Sequence, residues 1–123
     1  MKNTIEVPIF NDEYKVIVCW GDVKTVRRVM KLYQYPFPAD NGHFNNLRGA
    51  TFYASECHPI IALPGFPKTA TEIGTLAHEA THAILHIFEA VAERQHDEVF
   101  AHSIGAVVRT VLSSKKKRPV LTY

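Results

Sequence analysis

The chain has 123 residues, with a net charge of +2 when the histidines are neutral and only two cysteines. That length supports one core but not two, and the near-balanced charge gives no global case for a nucleic-acid protein. Cys19 and Cys57 are too few and too far apart for a disulfide framework or a Cys-x-x-Cys metal site, so both are expected to be reduced core thiols.

The N-terminal residues Met1-Lys2-Asn3-Thr4-Ile5-Glu6 carry no apolar signal core, and no apolar run approaches the length of a membrane span. The expectation is a cytoplasmic protein with no membrane partner. Thr4 to Phe10 and Tyr14 to Trp20 are β-rich runs separated by Asn11-Asp12-Glu13, which predicts an opening hairpin. Asp22 then caps a helix to about Tyr33, with Val23, Val26, Val29, Met30 and Tyr33 at helical spacing and Lys24, Arg27, Arg28 and Lys31 outside. Tyr33-Gln34-Tyr35-Pro36-Phe37-Pro38 ends that helix and starts a Pro-, Asn- and Gly-rich loop through Asn46, read as an ordered surface connection in preference to a substrate lid. Gly49 to Ala54 and Pro59 to Leu63 read as two further strands; Tyr53 and His58, near their junction, are read as structural in preference to facing a cleft.

After the Gly65-Phe66-Pro67 breaker, Thr69-Ala70-Thr71-Glu72 has the form of a capping box, and the spacing predicts a helix from about Thr69 to Ala90. Ile73, Leu76, Ala77, Ala80, Ala83, Ile84, Ile87 and Val91 form its apolar stripe, while Thr75, His78, Glu79, His82, His86 and Glu89 share the other side. Within it lies His78-Glu79-Ala80-Thr81-His82. Two histidines four apart sit one above the other on a helix face, so both imidazoles can reach one ion, and Glu79 stands beside them as a base for a water on that ion. His86 is set aside as a ligand, because residues 78 and 86 stand about 12 Å apart along the axis.

A second amphipathic helix is expected from Glu98 to about Leu112, with Glu98, His102, Gly105 and Arg109 on one stripe opposite Phe100, Ile104, Val107, Val108 and Val111. A short turn around Glu93 to His96 would fold it back antiparallel to the first and bring Glu98 towards the histidine pair. Glu98 is therefore the candidate third ligand. His102, one turn later, is a candidate catalytic residue that would orient Glu98, stabilise an oxyanion or replace Glu98 on the metal. Asp97 or Glu89 could accept the second ring N–H of a ligand histidine. Arg109 is expected to lie beyond the metal. Lys115-Lys116-Lys117-Arg118 closes the chain's basic run; it is read as a solvated tail (residues 115–123) after a domain spanning 1–114, in preference to a phosphate-binding segment.

The motif His78-Glu79-Ala80-Thr81-His82 followed by Glu98 resembles the gluzincin branch of the zincin metallopeptidases. The pattern Asp97-Glu98-Val99-Phe100-Ala101-His102 after it is similar to small peptidase-type proteins of phages and prophages. The resemblance covers about residues 69 to 109. It implies Zn2+ on His78, His82 and Glu98, Glu79 as general base, a peptide or protein substrate, and an edge strand beside the metal that aligns the substrate by main-chain hydrogen bonds. The interval to Glu98 is shorter than in larger gluzincins, and no second helical subdomain follows. The expected fold class is α+β: a single-domain minimal zincin of order β-β-α-β-β-α-α, with a small mixed or antiparallel sheet and helices on one face. The expected function is zinc-dependent peptide hydrolysis; its competitor is a metal-stabilised, non-catalytic accessory protein of phage type that docks on a partner.

Overall fold

The computed structural model describes residues 3–9, 13–35, 48–54, 57–90 and 97–116, and of residues 90, 97, 98, 115 and 116 the backbone alone. The elements follow in the expected order: β1 (Thr4–Ile9), β2 (Tyr14–Trp20), α1 (Val23–Leu32), β3 (Ala50–Phe52), β4 (Ile60–Leu63), α2 (Ala70–Ala90) and α3 (Asp97–Lys116). The class is α+β, and the sheet is mixed, in the order β1-β2-β4-β3. β1 pairs antiparallel with β2, β2 pairs parallel with β4, and β3 pairs antiparallel with β4. β3 is thus an edge and β4 an interior strand. The Pro- and Asn-rich loop through Asn46 lies outside the described residues, as do Lys117 and Arg118.

Local chemistry accounts for the helix starts. Gly21 takes φ 146°, a conformation that L side chains rarely adopt, and hands the chain to Asp22. The Asp22 carboxylate accepts from the Thr25 backbone N–H at 2.9 Å, which begins α1. At α2 the capping box forms as its residues predict: Thr69 Oγ1 accepts from the Glu72 N–H at 3.1 Å, and Glu72 Oε1 accepts from the N–H groups of Thr69 and Lys68 at 3.0 and 2.9 Å. Those bonds hold the Glu72 carboxyl below its usual pKa.

One expectation fails: the helices do not share a sheet face. Val26, Val29 and Met30 of α1 pack with Ile17, Cys19, Ala50, Ile60 and Ala62 on one side. Leu76, Ala80, Ala83, Ile84, Ile87 and Phe88 of α2, with Val107 and Val111 of α3, pack on Val7, Ile9, Val16, Val18, Ile61 and Leu63 on the other. The physical reason is visible in β2 and β4. Val16 to Cys19 and Ile60 to Leu63 are buried without alternation, and a central strand apolar on both faces needs cover on both. Cys19 lies within the α1 layer, and burial pushes its thiol up to about 12, which makes it an inert core thiol.

Phe88 is a core residue outside the apolar stripe expected for α2. Its ring meets that of Phe100 edge-on, with centroids 5.5 Å apart, and so sets the start of α3 against the last turns of α2. α3 runs through Lys115 and Lys116, past both the expected helix end and the expected domain boundary, because no breaker comes before Pro119 and two lysines suit a helix C-terminus. Among the described residues, no helix is long and apolar enough to cross a membrane.

Candidate metal centre

α2 carries the histidine pair because its capped start, its unbroken helical run and its anchored opposite stripe fix the phase of the helix against the sheet. The Nε2 atoms of His78 and His82 lie 3.2 Å apart, within hydrogen-bond distance, with the rings edge to face. Two donors on a shared tetrahedral ion, each at about 2.05 Å, would stand about 3.3 Å from one another, so the same spacing is compatible with one shared ion. Both histidines are exposed, and the His78 side chain retains 68 % of its free surface.

Glu79 is placed differently from its neighbours. Helical phase alone sets it on the polar side with His78 and His82, yet it is buried, at 9 % exposure, beneath the edge strand. The Thr51 hydroxyl of β3 sits 2.7 Å from Glu79 Oε1 and 3.0 Å from the Glu79 carbonyl oxygen, and shares its single hydrogen between them. The other carboxylate oxygen, Oε2, stands 4.0 Å from His78 Nε2. The carboxylate is therefore divided, one oxygen tied to the sheet and the other facing the histidine pair. That arrangement suits a base beside an ion rather than a ligand to it.

Gly49 permits this approach. A Cβ there would lie 3.0 Å from Thr75 Cγ2, 3.1 Å from Leu63 Cδ2 and 3.4 Å from Glu79 Cγ, so the bare α-carbon lets the chain entering β3 rest closely on α2. Gly49, Thr51 and Tyr53, at alternate positions through β3 and its two flanking residues, meet α2 in succession at Thr75, Glu79 and His86. Neither Thr51 nor Gly49 stands out in the sequence as a site residue. The available signal was a hydroxyl and a glycine at alternate positions of a short strand, flanking apolar Ala50 and Phe52.

Tyr53 packs its ring on α2. It is 49 % exposed, and its ring stacks on His86, with centroids 4.6 Å apart at 24°. His58 is half-buried, and its carbonyl, with that of Phe52 at 2.9 Å, receives the Tyr35 hydroxyl, which pins the β3–β4 connection. Burial raises the pKa of that hydroxyl and keeps it a donor.

Of the other candidates, His102 is exposed on α3, Glu89 is exposed on α2, and the Arg109 guanidinium lies over Gly105, with Nη1 2.9 Å from where a Cβ would be. Among the described residues no third His, Cys, Asp or Glu joins His78 and His82 in a group able to hold an ion. The side chains of Asp97 and Glu98 lie outside the described part; their backbones form the first turn of α3. Phe88, which that turn adjoins, is about 9 Å along the axis beyond His82.

No protein-family model matches the chain. No curated protein and no solved structure matches it.

Proposed function

We propose that the chain is a zinc-dependent hydrolase acting on peptides or proteins, with His78, His82 and Glu98 as metal ligands and Glu79 as general base. The observation that carries this reading is the convergence of two imidazole nitrogens at 3.2 Å with a buried carboxylate whose free oxygen lies 4.0 Å from one of them. A bound zinc would supply Lewis acidity and make a water acidic enough to lose its proton near neutral pH. Glu79 Oε2 takes that proton and passes it to the leaving nitrogen, while Thr51 holds Oε1 so that Oε2 keeps its aim. β3, the edge strand among the described residues, lies against the motif helix through Gly49 and Thr51 and would offer main-chain groups to an extended peptide. A carboxylate beside exposed imidazoles favours an open working site over a closed structural one.

The test is Glu79→Gln. It should keep zinc at the wild-type stoichiometry and lose hydrolysis of a casein or peptide-library substrate by at least about 100-fold. Retained turnover in that variant would overturn the mechanism.

A further inference from the structure

Along α2, Thr71, Thr75, His78 and His82 fall on one stripe at about 100° per residue, so the helix face that presents the histidine pair continues unbroken toward the helix start. There it forms one wall of a cleft of about 360 Å³, lined by Thr71, Thr75, Pro67, Leu63 and Arg48. Arg48 immediately precedes Gly49, at the mouth of the edge strand. The cleft begins at Thr75, about 4.5 Å along the axis from His78 and one turn before Glu79, so it adjoins the proton carrier and lies on the side away from His82.

The charge in the cleft is also defined. Arg48 is exposed and pairs with no carboxylate among the described residues. Glu72, the one acid in the wall, spends Oε1 on the N–H groups of Lys68 and Thr69, and the Lys68 ammonium acts on it as well. Arg48 is left as the wall's uncommitted charge.

We propose that this cleft receives the leaving-group end of the substrate and that Arg48 selects a carboxylate there, an inference that rests on the hydrolase reading above. Glu79 must face the nitrogen that departs, and the cleft opens beyond Glu79, so the residues after the cut enter it. A residue past the cut then lies in the cleft that Arg48 lines. A guanidinium takes a carboxylate through two parallel N–H bonds, a match shared by a free chain terminus and by an Asp or Glu side chain.

The test uses the full chain, zinc-free and 15N-labelled, titrated with three probes: N-acetyl-Leu-Leu as the free acid, the same dipeptide as its C-terminal amide, and N-acetyl-Leu-Asp as its C-terminal amide. The expected result is that at least one acid probe shifts the Gly49, Thr71 and Thr75 amide resonances while the neutral amide does not. Response to the first acid identifies a chain terminus, and response to the last identifies a side chain. Arg48→Gln should weaken the responding probe by about 10- to 100-fold, and Arg48→Lys should recover part of the loss. Equal binding of acid and neutral probes, no binding of either acid, or affinity unchanged in Arg48→Gln would each overturn the proposal. The two readings separate cleanly. Arg48-dependent acid binding in a chain that cleaves nothing sinks the hydrolase reading and leaves the carboxylate site standing. Equal kcat/KM for cleavage of substrates with and without the carboxylate of the responding probe does the reverse.

Discussion

Thr51 and Glu79, 28 residues apart in sequence, are joined by a 2.7 Å hydrogen bond that ties the candidate base on α2 to the edge strand β3. The bond fixes which carboxylate oxygen is free. Thr51→Val keeps the side-chain shape and removes the hydroxyl, so kcat should fall by about 10- to 100-fold with zinc affinity little changed, the cost of a hydrogen bond to a charged group. Thr51→Ser should restore most of the rate. Steady-state kinetics of the two variants check this; a Thr51→Val rate equal to wild type would mean that Glu79 is oriented without the strand.

Gly49→Ala should lower stability by about 1–3 kcal/mol, because the added methyl meets Thr75 and Leu63 at 3.0 and 3.1 Å and these packed side chains must shift. Urea unfolding measures this. An unchanged midpoint would show that β3 moves freely over α2.

Phe88→Ala should cost about 3–5 kcal/mol, as expected for emptying a ring-sized space in the core where α2 and α3 meet. The same denaturation assay applies, and a loss below about 1 kcal/mol would mean that the helix pair does not depend on the Phe88–Phe100 contact.

The pH dependence follows from Glu6 and Tyr33. The Tyr33 hydroxyl and then Lys15, by hydrogen bonding, hold the Glu6 carboxyl below its usual 4.5; burial and then the Glu6 contact push the Tyr33 phenol up to about 12. A lowered carboxyl pKa gives stability that is present above 4.5 and lost as pH falls through the folded value. A raised phenol pKa gives stability that is present below 10 and lost as pH rises towards 12. Glu6 is exposed and Tyr33 only half-buried, so solvent screening keeps each contribution small. The gap in urea midpoint between wild type and Tyr33→Phe should therefore be widest between these limits and narrow on both sides. A gap independent of pH would contradict the pairing.

The identity and order of every strand and helix in the described structure can be read from the sequence, because caps such as Asp22 and Thr69 and the periodicity of Val26, Val29 and Met30 are local signals. Which sheet face α1 covers is not local: an amphipathic helix shows that it covers a face, and only the unbroken burial of β2 and β4 shows that two faces need cover. The same divide runs through the site. The spacing of His78 and His82 is a property of one helix, whereas Thr51 and Gly49 act through a strand that folding brings alongside it, and no periodicity reports such a pairing.

For the third ligand, Glu98→Ala should reduce zinc affinity by at least about 100-fold, the upper end of what outer partners cost, while His102→Ala should stay within about 10-fold. Competition with a chromophoric chelator reads both. An unchanged affinity in Glu98→Ala would remove it from the metal. A His102→Ala loss as large as that of Glu98→Ala would instead favour a closed site and the metal-stabilised binding protein.

The central claim is that His78 and His82 grip one ion, and the zinc content of the purified chain after dialysis against zinc at neutral pH tests it most directly. The account predicts one zinc per chain, abolished in His78→Ala and in His82→Ala and retained in Glu79→Gln. A wild-type chain that leaves dialysis without zinc, or a His82→Ala variant that holds it as tightly, would contradict it.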